Sequence, residues 1–345
     1  MTHDTQAAGA GRTATMRAAL QQRYGPPEVV TVGEIDRPTP KDDEILVRVE
    51  AASVNRADLD ALGPRPGFVR PFLGMRAPRD PSMGIDAAGV VESVGTGVTR
   101  FTPGDRVFAD VFGSGQGAFA EYLSASQDAF QRIPDDMSFE DAATIPHSGV
   151  LAVQGLRRRN GRTVQPGDKV LIDGASGNVG PFAVQIAKAL GAEVTGVCST
   201  AKVDFVRSLG ADHVLDYTAV DYTRSGKRYD WILDTDSHHP IRRARRALRP
   251  NGVYVTLGGT AWPIIQAMVF GSLLSLGSDR WSGLMLWWKP FKPEDVASVT
   301  RLIAEGKVKP VIDRRFPLSE IVDALRWVND GHAKGKVVIT DHPGR

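Results

Sequence analysis

Hydrophobic and polar positions follow two different rhythms along the chain, and the change falls near residue 139. Before that point, short apolar stretches alternate with polar positions, as at Ile45, Val47 and Val49, and glycine- and proline-rich turns separate them. A period of two indicates strands with one buried face, and many short strands of this kind indicate a barrel-like β-domain. The expected strands lie within residues 16–20, 29–32, 44–52, 84–95, 103–108 and 119–123.

From residue 139 onwards, apolar strands alternate with helical patterns. A helix is predicted over residues 139–156, with Ser138 and Asp141 as a capping pair. Strands are expected at 169–172, 194–197, 213–215, 231–233 and 252–257, with helices between them. This alternation predicts a doubly wound parallel sheet. Two amphipathic helices, 293–305 and 318–330, precede a last strand at 336–340, which we expect to return to the first domain.

A glycine-rich turn follows the strand at 169–172, and the rest of the chain is organised around it. Gly174, Gly177 and Gly180 stand at every third position before a helical pattern. Strand, glycine turn and helix form the dinucleotide-binding βα unit, in which backbone N–H groups and the helix N-terminus face a pyrophosphate. A tight turn of any α/β protein is the alternative. The candidate cofactor ligands here are Gly174, Ser176, Gly177, Asn178, Val179 and Gly180.

The end of the next strand distinguishes the two nicotinamide cofactors. An NAD-binding unit carries Asp or Glu there for the ribose 2′-hydroxyl, whereas this chain has Ser199, Thr200 and Lys202. Two hydroxyl donors and one positive charge suit a 2′-phosphate, so we expect NADPH rather than NADH. Alternatively Ser199 and Thr200 cap the helix expected at 202–209, and both roles can hold together.

Composition narrows the possible classes of protein. With 345 residues, of which 42% are hydrophobic, the chain is long enough for two domains with their own cores. A net charge of +2 gives no general attraction to nucleic acid. The single cysteine, Cys198, excludes an internal disulfide and any multi-cysteine zinc site, and it fits a reducing cytoplasm.

Two further segments bear on location. Residues 1–15 lack the apolar segment of a secretory leader and are expected to form a disordered tail. The apolar run at 261–277 is interrupted by Pro263, Gln266 and Gly271. We therefore expect no integral membrane segment, while peripheral membrane contact stays open.

Taken together, these motifs resemble a known superfamily. The sequence is similar to the zinc-independent medium-chain dehydrogenases/reductases, in their quinone oxidoreductase-like branch, over residues 16–340. The matching residues are Ser53-Val54-Asn55, Gly84-Ile85-Asp86, Val94-Gly95, Pro103-Gly104-Asp105-Arg106-Val107, the glycine turn, Cys198-Ser199-Thr200, Leu209-Gly210-Ala211-Asp212, Asp216-Tyr217 and Gly335-Lys336-Val337-Val338.

The resemblance implies a fold and a domain division. An α/β architecture is expected, with a GroES-like β-barrel catalytic domain at 16–138 and 283–345 and a Rossmann domain with its doubly wound sheet at 139–282.

Zinc-containing relatives ligate the metal with a cysteine near residues 53–55 and with the histidine of a Gly-His-Glu motif. Here Asn55 and Ile85 stand at those positions, so no metal site is expected.

The resemblance also implies roles for single residues. Backbone at Gly258 and Gly259 would hold the nicotinamide end, and Tyr217 would line the adenosine phosphate. Three residues are candidates for catalysis: Asn55, Asp58 and His147. Their alternatives are a turn residue for Asn55, a helix cap for Asp58 and a structural residue for His147.

Departures from relatives affect the proton donor, and one is His147, which stands where relatives usually carry a small apolar residue. Asp60 stands where many relatives have a tyrosine, so a phenolic donor is absent there. The adjacent His238 and His239 either edge the nicotinamide pocket or face solvent.

The expected activity is NADPH-dependent hydride transfer to a small apolar quinone or to the C=C bond of an α,β-unsaturated carbonyl. The alternatives are a zinc-free NADP-dependent alcohol dehydrogenase or ketone reductase and a low-turnover NADPH-binding sensor. The resemblance further implies a cytoplasmic homodimer that pairs through residues 273–277. Trp281, Trp287 and Trp288, with Met285 and Leu286, are candidate walls for a flat substrate, and core or dimer packing is the alternative.

Overall fold

The computed structural model describes residues 14–63, 74–114, 117–158, 161–259, 265–266, 279–284 and 292–341. The strands, numbered along the chain, are β1 (Thr15–Gln21), β2 (Val30–Asp36), β3 (Glu44–Val54), β4 (Asp86–Val94), β5 (Arg106–Asp110), β6 (Tyr122–Ser126), β7 (Phe130–Arg132), β8 (Lys169–Asp173), β9 (Glu193–Cys198), β10 (His213–Asp216), β11 (Tyr229–Asp234), β12 (Leu248–Thr256), β13 (Trp281–Leu284), β14 (Ile312–Phe316) and β15 (Lys336–Ile339). The helices are α1 (Arg56–Leu62), α2 (Phe139–Thr144), α3 (Pro146–Gly155), α4 (Gly180–Ala189), α5 (Val203–Ser208), α6 (Ile241–Arg246), α7 (Pro293–Ala304) and α8 (Ile321–Asn329).

The first unit is built from strands of both chain ends, which pair antiparallel except for the parallel pair β14 and β15. A seven-stranded sheet runs β14-β15-β3-β4-β5-β7, and β6 pairs with β3. Alternating apolar residues of these strands, such as Ile45, Val47 and Val107, are completely or almost completely buried and form a shared core. The barrel-like unit expected from the period of two is thereby confirmed.

The second unit is a six-stranded sheet in the order β10-β9-β8-β11-β12-β13, and its neighbouring strands are parallel. The order reverses between β8 and β11, which is where doubly wound sheets bind ligands beyond the carboxyl ends of their strands. The predicted α/β class, a β-barrel joined to a doubly wound parallel sheet, is confirmed. The glycine turn follows β8 and therefore lies at this reversal.

The last strand returns to the first unit, as predicted. β15 pairs antiparallel with β3, so Val337 lies opposite Val54 and Val338 opposite Ser53. This pairing brings Lys336 next to the end of β3, where Asn55 begins the next segment. The domain division at residue 282 stays a prediction, and that residue lies within β13.

Two expected helices differ from their predictions. The single helix expected over 139–156 is wrong, because α2 ends before Ile145 and α3 starts with Pro146. Proline has no N–H to continue the hydrogen-bond ladder of the preceding helix, and it is well suited to a first turn. The cap at the start of α2 is confirmed, since Ser138 Oγ accepts from the Asp141 N–H at 3.0 Å.

The helix expected over 202–209 begins instead with a 3-10 turn at Thr200–Lys202, and α5 follows it. Ser199 occupies the N-cap position, but its side chain makes no capping hydrogen bond. The helix-capping alternative for Ser199 is therefore wrong.

Several predictions lie outside the described residues: residues 1–13 of the tail expected at 1–15, the pairing segment at 273–277, and the walls formed by Met285, Leu286, Trp287 and Trp288. Thr15, the last residue of that expected tail, instead begins β1. Where the structure is described, no helix has the length and apolar character needed to cross a bilayer.

Candidate active site

The glycine turn after β8 is shaped by backbone contacts that only glycine permits. Gly174 has a φ of 76°, and a Cβ there would lie 2.3 Å from Thr235 Oγ1. The same hydroxyl donates to the Asp173 carbonyl at 2.8 Å, which ties the end of β11 to the turn. A Cβ at Gly180 would lie 2.3 Å from the Gly174 carbonyl oxygen, so α4 packs directly on the turn.

Gly177 differs from its two neighbours in the motif. A Cβ there would meet only the Gly174 carbonyl oxygen, at 3.5 Å, so open space lies in front of this residue. This space adjoins the start of α4, whose N–H groups and positive dipole end attract phosphate. The turn therefore has room for the pyrophosphate that its spacing predicts, and the residues present fit a dinucleotide.

The other members of the turn contact the first unit. Asn178 Nδ2 donates to the Val54 carbonyl at 3.1 Å, and the Ser176 carbonyl accepts from the Gly335 N–H at 3.1 Å. Val179 stands at the N-cap position of α4. The glycine turn is thus joined to the last residue of β3, which precedes Asn55, and to the residue that precedes Lys336 at the start of β15.

Residues predicted for the adenosine phosphate lie together beyond β9 and β10. The Tyr217 N–H donates to the Cys198 carbonyl at 3.1 Å, and its side chain is 61% exposed. Lys202 Nζ donates to the Ala333 carbonyl at 2.6 Å. Burial lowers the pKa of Lys202 despite the nearby Asp313. A half-buried ammonium of this kind is available to an incoming anion.

One acidic residue enters this region that the sequence pattern did not indicate. Asp216, at the end of β10, accepts from Thr200 Oγ1 at 2.5 Å and from Thr218 Oγ1 at 2.7 Å. These hydrogen bonds lower the pKa of Asp216, so it is ionised at neutral pH. The absence of an acid from β9 is therefore offset by a carboxylate from the neighbouring strand.

At the expected nicotinamide end, two loops come into close contact. The Ser237 N–H donates to the Gly258 carbonyl at 2.9 Å. A Cβ at Gly259, where φ is 126°, would lie 2.2 Å from the Ser237 nitrogen. Glycine is required at Gly259 because any larger residue would separate the ends of β11 and β12.

Asn55 is fully buried and belongs to a polar network at the end of β3. Its Nδ2 donates to Asp86 Oδ2 at 2.9 Å and to the Ser53 carbonyl at 3.3 Å. Its Oδ1 accepts from Lys336 Nζ at 2.5 Å and from Ser148 Oγ at 3.2 Å. Every hydrogen-bonding position of the amide is thus used inside the protein.

Two buried carboxyl groups of this network have raised pKa values. Burial raises the pKa of Asp58 to about 7, although the Asn55 N–H at 2.7 Å opposes this shift. Burial also raises the pKa of Asp86 to about 6, with Lys336 opposing. Asp58 caps α1 by accepting from the Asn55 N–H, as its alternative role required.

His147 pairs with a buried carboxylate at the edge of the same network. Its Nδ1 lies 3.1 Å from Asp110 Oδ2, and 11% of its side chain is exposed. Burial lowers the pKa of His147, but the hydrogen bond and charge of Asp110, with that of Asp86, outweigh it and leave the pKa raised. The imidazole is therefore readily protonated near neutral pH.

The remaining residues singled out in the sequence are Asp60 on α1 and His238 and His239 on the loop after β11. His238 Nε2 lies 3.3 Å from Asp236 Oδ2, and this pairing raises the pKa of His238. His239 packs edge-on against Tyr222 and is 26% exposed at its side chain. Asp60 forms an ion pair with Arg56 at 3.2 Å.

Sequence reasoning assigned no role to Lys336, Ser148, Asp86 or Asp110, although all four are buried around Asn55 or His147. One signal was available for Lys336. It begins an otherwise apolar strand, and a buried charged residue in such a strand needs a partner.

Two protein families match the chain. Residues 41–135 match the family described as alcohol dehydrogenase GroES-like domain, and residues 209–339 match the family described as zinc-binding dehydrogenase. The candidate metal positions, Asn55 and Ile85, lie outside the second match.

The chain is 34% identical over 313 residues to the chloroplast envelope quinone oxidoreductase homolog of Arabidopsis thaliana, covering 89% of this chain and 92% of that protein. It is 33% identical to the mitochondrial NAD(P)H oxidoreductase RTN4IP1 of Mus musculus, covering 95% and 90%. Among solved structures, the quinone oxidoreductase of Coxiella burnetii superimposes with a TM-score of 0.84 at 28% identity, covering 95% of this chain and 100% of that one.

Proposed function

The chain belongs to the quinone oxidoreductase-like branch of the medium-chain dehydrogenases/reductases, and from this premise we propose that it is a zinc-free, NADPH-dependent reductase. The proposed acceptor is a small apolar quinone or the C=C bond of an α,β-unsaturated carbonyl. One observation supports the proposal: Asn55, which stands where the resemblance implies a cysteine ligand in zinc-containing relatives, accepts from the Lys336 ammonium at 2.5 Å. An ammonium group in this place opposes a second cation.

The cofactor part of the proposal is supported by the glycine turn and by Lys202. Bound NADPH would supply the hydride. Backbone N–H groups around Gly177 and the start of α4 bind its pyrophosphate, and Ser199, Thr200 and Lys202 bind its 2′-phosphate. Asp216, which accepts from Thr200 Oγ1, places a negative charge beside this site, so the proposed selection of NADPH depends on the positive charge of Lys202.

Reduction of a quinone or enone also needs a proton. We assign this proton transfer to His147, which is 9% exposed, whereas Asn55 and Asp58 are 0% and 3% exposed. Asp110 holds the imidazolium at Nδ1, and we propose that this imidazolium supplies the proton. Asn55 and Asp58 hold the end of β3 and the start of α1 in place.

The test has two stages, binding and turnover. NADPH and NADH are titrated by fluorescence into the wild type and Lys202→Ala, with Lys169→Ala, at the start of β8 and away from its carboxyl end, as the control. We expect Lys202→Ala to weaken NADPH binding about 10-fold and to leave NADH binding unchanged, because it removes one charge-assisted hydrogen bond. NADH bound as tightly as NADPH by the wild type would contradict the cofactor assignment.

The second stage adds a panel of quinones, enones and simple ketones to the NADPH complex. We expect NADPH oxidation with quinones or enones. Oxidation with simple ketones alone would favour the alcohol dehydrogenase, and tight NADPH binding without any oxidation would favour the sensor.

A further inference from the structure

Lys336 has an unusual position for a lysine. Lys336 is the first residue of β15 and stands nine positions before residue 345. It is 1% exposed, and its ammonium lies inside the protein. Nζ donates to Asn55 Oδ1 at 2.5 Å and to Ser148 Oγ at 3.1 Å, and it lies 3.5 Å from Asp86 Oδ2. A buried ammonium is costly unless charged and polar groups surround it, so this arrangement needs a reason.

The contacts of Lys336 fix the orientation of the Asn55 amide. Lysine can only donate hydrogen bonds and a carboxylate can only accept them, so Oδ1 must face Lys336 and Nδ2 must face Asp86. Turning the amide over would place two donors against each other and two acceptors against each other. Lys336 and Asp86 therefore hold Asn55 in a single orientation.

The same two segments contact the cofactor turn through the backbone. The residue before Lys336, Gly335, donates to the Ser176 carbonyl at 3.1 Å. The residue before Asn55, Val54, accepts from Asn178 Nδ2 at 3.1 Å. The turn is thus attached to both ends of the Lys336–Asn55 contact, one residue away from each.

We propose that Lys336 is a positioning residue, whose contacts with Asn55 and Asp86 keep His147, whose N–H donates to Asp86 Oδ1 at 3.1 Å, in register with the dinucleotide turn. The inference rests on the proposed function for its effect on turnover, while the coupling between the two segments is independent of it. The competing explanation is that Lys336 only neutralises the buried carboxylates of Asp58, Asp86 and Asp110, next to His147.

Substitution must separate these two explanations. Lys336→Met alone leaves Asp86 buried without its cation and can fail to fold. Asp86→Asn removes the negative charge while keeping an acceptor for Asn55, so the double variant Lys336→Met/Asp86→Asn is electrically balanced. Lys188→Met/Asp212→Asn is the matched control, because it removes another lysine–aspartate pair, at 2.8 Å, that is partly exposed.

Turnover is the first readout. We compare Lys336→Met/Asp86→Asn with Asp86→Asn alone. The added Lys336→Met change should lower kcat about 10- to 100-fold and change the Kd for NADPH less than about threefold. The reason is that small misplacements of reacting groups act mainly on the chemical step. A kcat within about threefold of Asp86→Asn would overturn the proposal and leave Lys336 as a counter-ion. Loss confined to the Kd for NADPH would overturn it as well.

Amide hydrogen exchange is the second readout and does not depend on turnover. We expect NADPH to slow exchange in the peptide covering residues 53–60 of the wild type, of Asp86→Asn and of the control, but not of Lys336→Met/Asp86→Asn. Equal protection in the double variant would refute the coupling. If the wild type oxidises no acceptor, the proposed function fails, and this exchange experiment still decides the role of Lys336.

Discussion

Alanine substitutions at two glycines of the turn should have different consequences: Gly177→Ala should weaken NADPH binding, and Gly180→Ala should lower stability. In Gly177→Ala, the new methyl group meets only the Gly174 carbonyl oxygen, at the ordinary contact distance of 3.5 Å. Gly177 is also outside the left-handed backbone region. Alanine restricts the unfolded chain, so the free energy of unfolding should stay the same or rise by about 0.4–1 kcal/mol.

The same methyl group occupies the space in which the pyrophosphate would lie. Loss of about one charge-assisted hydrogen bond corresponds to about 2 kcal/mol, so we expect the Kd for NADPH to rise about 30-fold. In Gly180→Ala, by contrast, the methyl group would lie 2.3 Å from the Gly174 oxygen and 2.4 Å from the Ala175 carbonyl carbon. Backbone cannot move aside cheaply, so this variant should lose about 1–3 kcal/mol of stability.

Thermal unfolding followed by circular dichroism, combined with fluorescence titration of NADPH, tests the pair. The expected pattern is a weak binder with a normal Tm for Gly177→Ala and a lowered Tm for Gly180→Ala. Wild-type NADPH affinity in Gly177→Ala would refute the placement of the pyrophosphate. A lowered Tm in Gly177→Ala would refute the geometry of the turn.

Three further predictions concern titratable groups. The pKa of Asp58 is about 7 in the folded protein and about 4 in the unfolded chain. The folded state therefore binds the proton more tightly, and stability falls as the pH rises from about 4 to about 7. Asp58→Asn should flatten the dependence of Tm on pH in this window, and an unchanged slope would contradict the assignment. His147→Gln should lower kcat about 100-fold. The wild-type rate should decline above the raised pKa of His147, and this decline should be absent from the variant. A variant that keeps the decline would exclude His147 as its source. Burial raises the pKa of the Cys198 thiol to about 11. We therefore expect no thiol labelling at pH 8 in the folded protein and labelling of one thiol per chain in denaturant. Labelling of the native protein would show that Cys198 is accessible.

The features that sequence predicted well depend on residues close together in the chain. The strands β8 to β12 were found because each is a short apolar run, and the glycine turn because Gly174, Gly177 and Gly180 stand at a regular spacing. The break between α2 and α3 was missed because the apolar pattern continues across Pro146, although proline ends the preceding hydrogen-bond ladder.

The parts of the site that were missed depend on tertiary pairing. Lys336 and Asn55 are separated by 281 positions, and only the pairing of β15 with β3 brings them together. Asp216 reaches Thr200 because β10 lies beside β9 in the sheet. Pattern reasoning examined β9 alone for an acid and therefore could not find one that a neighbouring strand supplies.

Metal-free deuteride transfer is the most direct test of the central claim. The protein is dialysed against a chelator, its zinc content is measured by mass spectrometry, and it is given NADPH deuterated at C4 together with a cyclic enone. We predict unchanged turnover without zinc, with deuterium at the β-carbon of a saturated ketone. Stoichiometric zinc whose removal abolishes turnover, or deuterium at the carbinol carbon of an alcohol, would contradict the account.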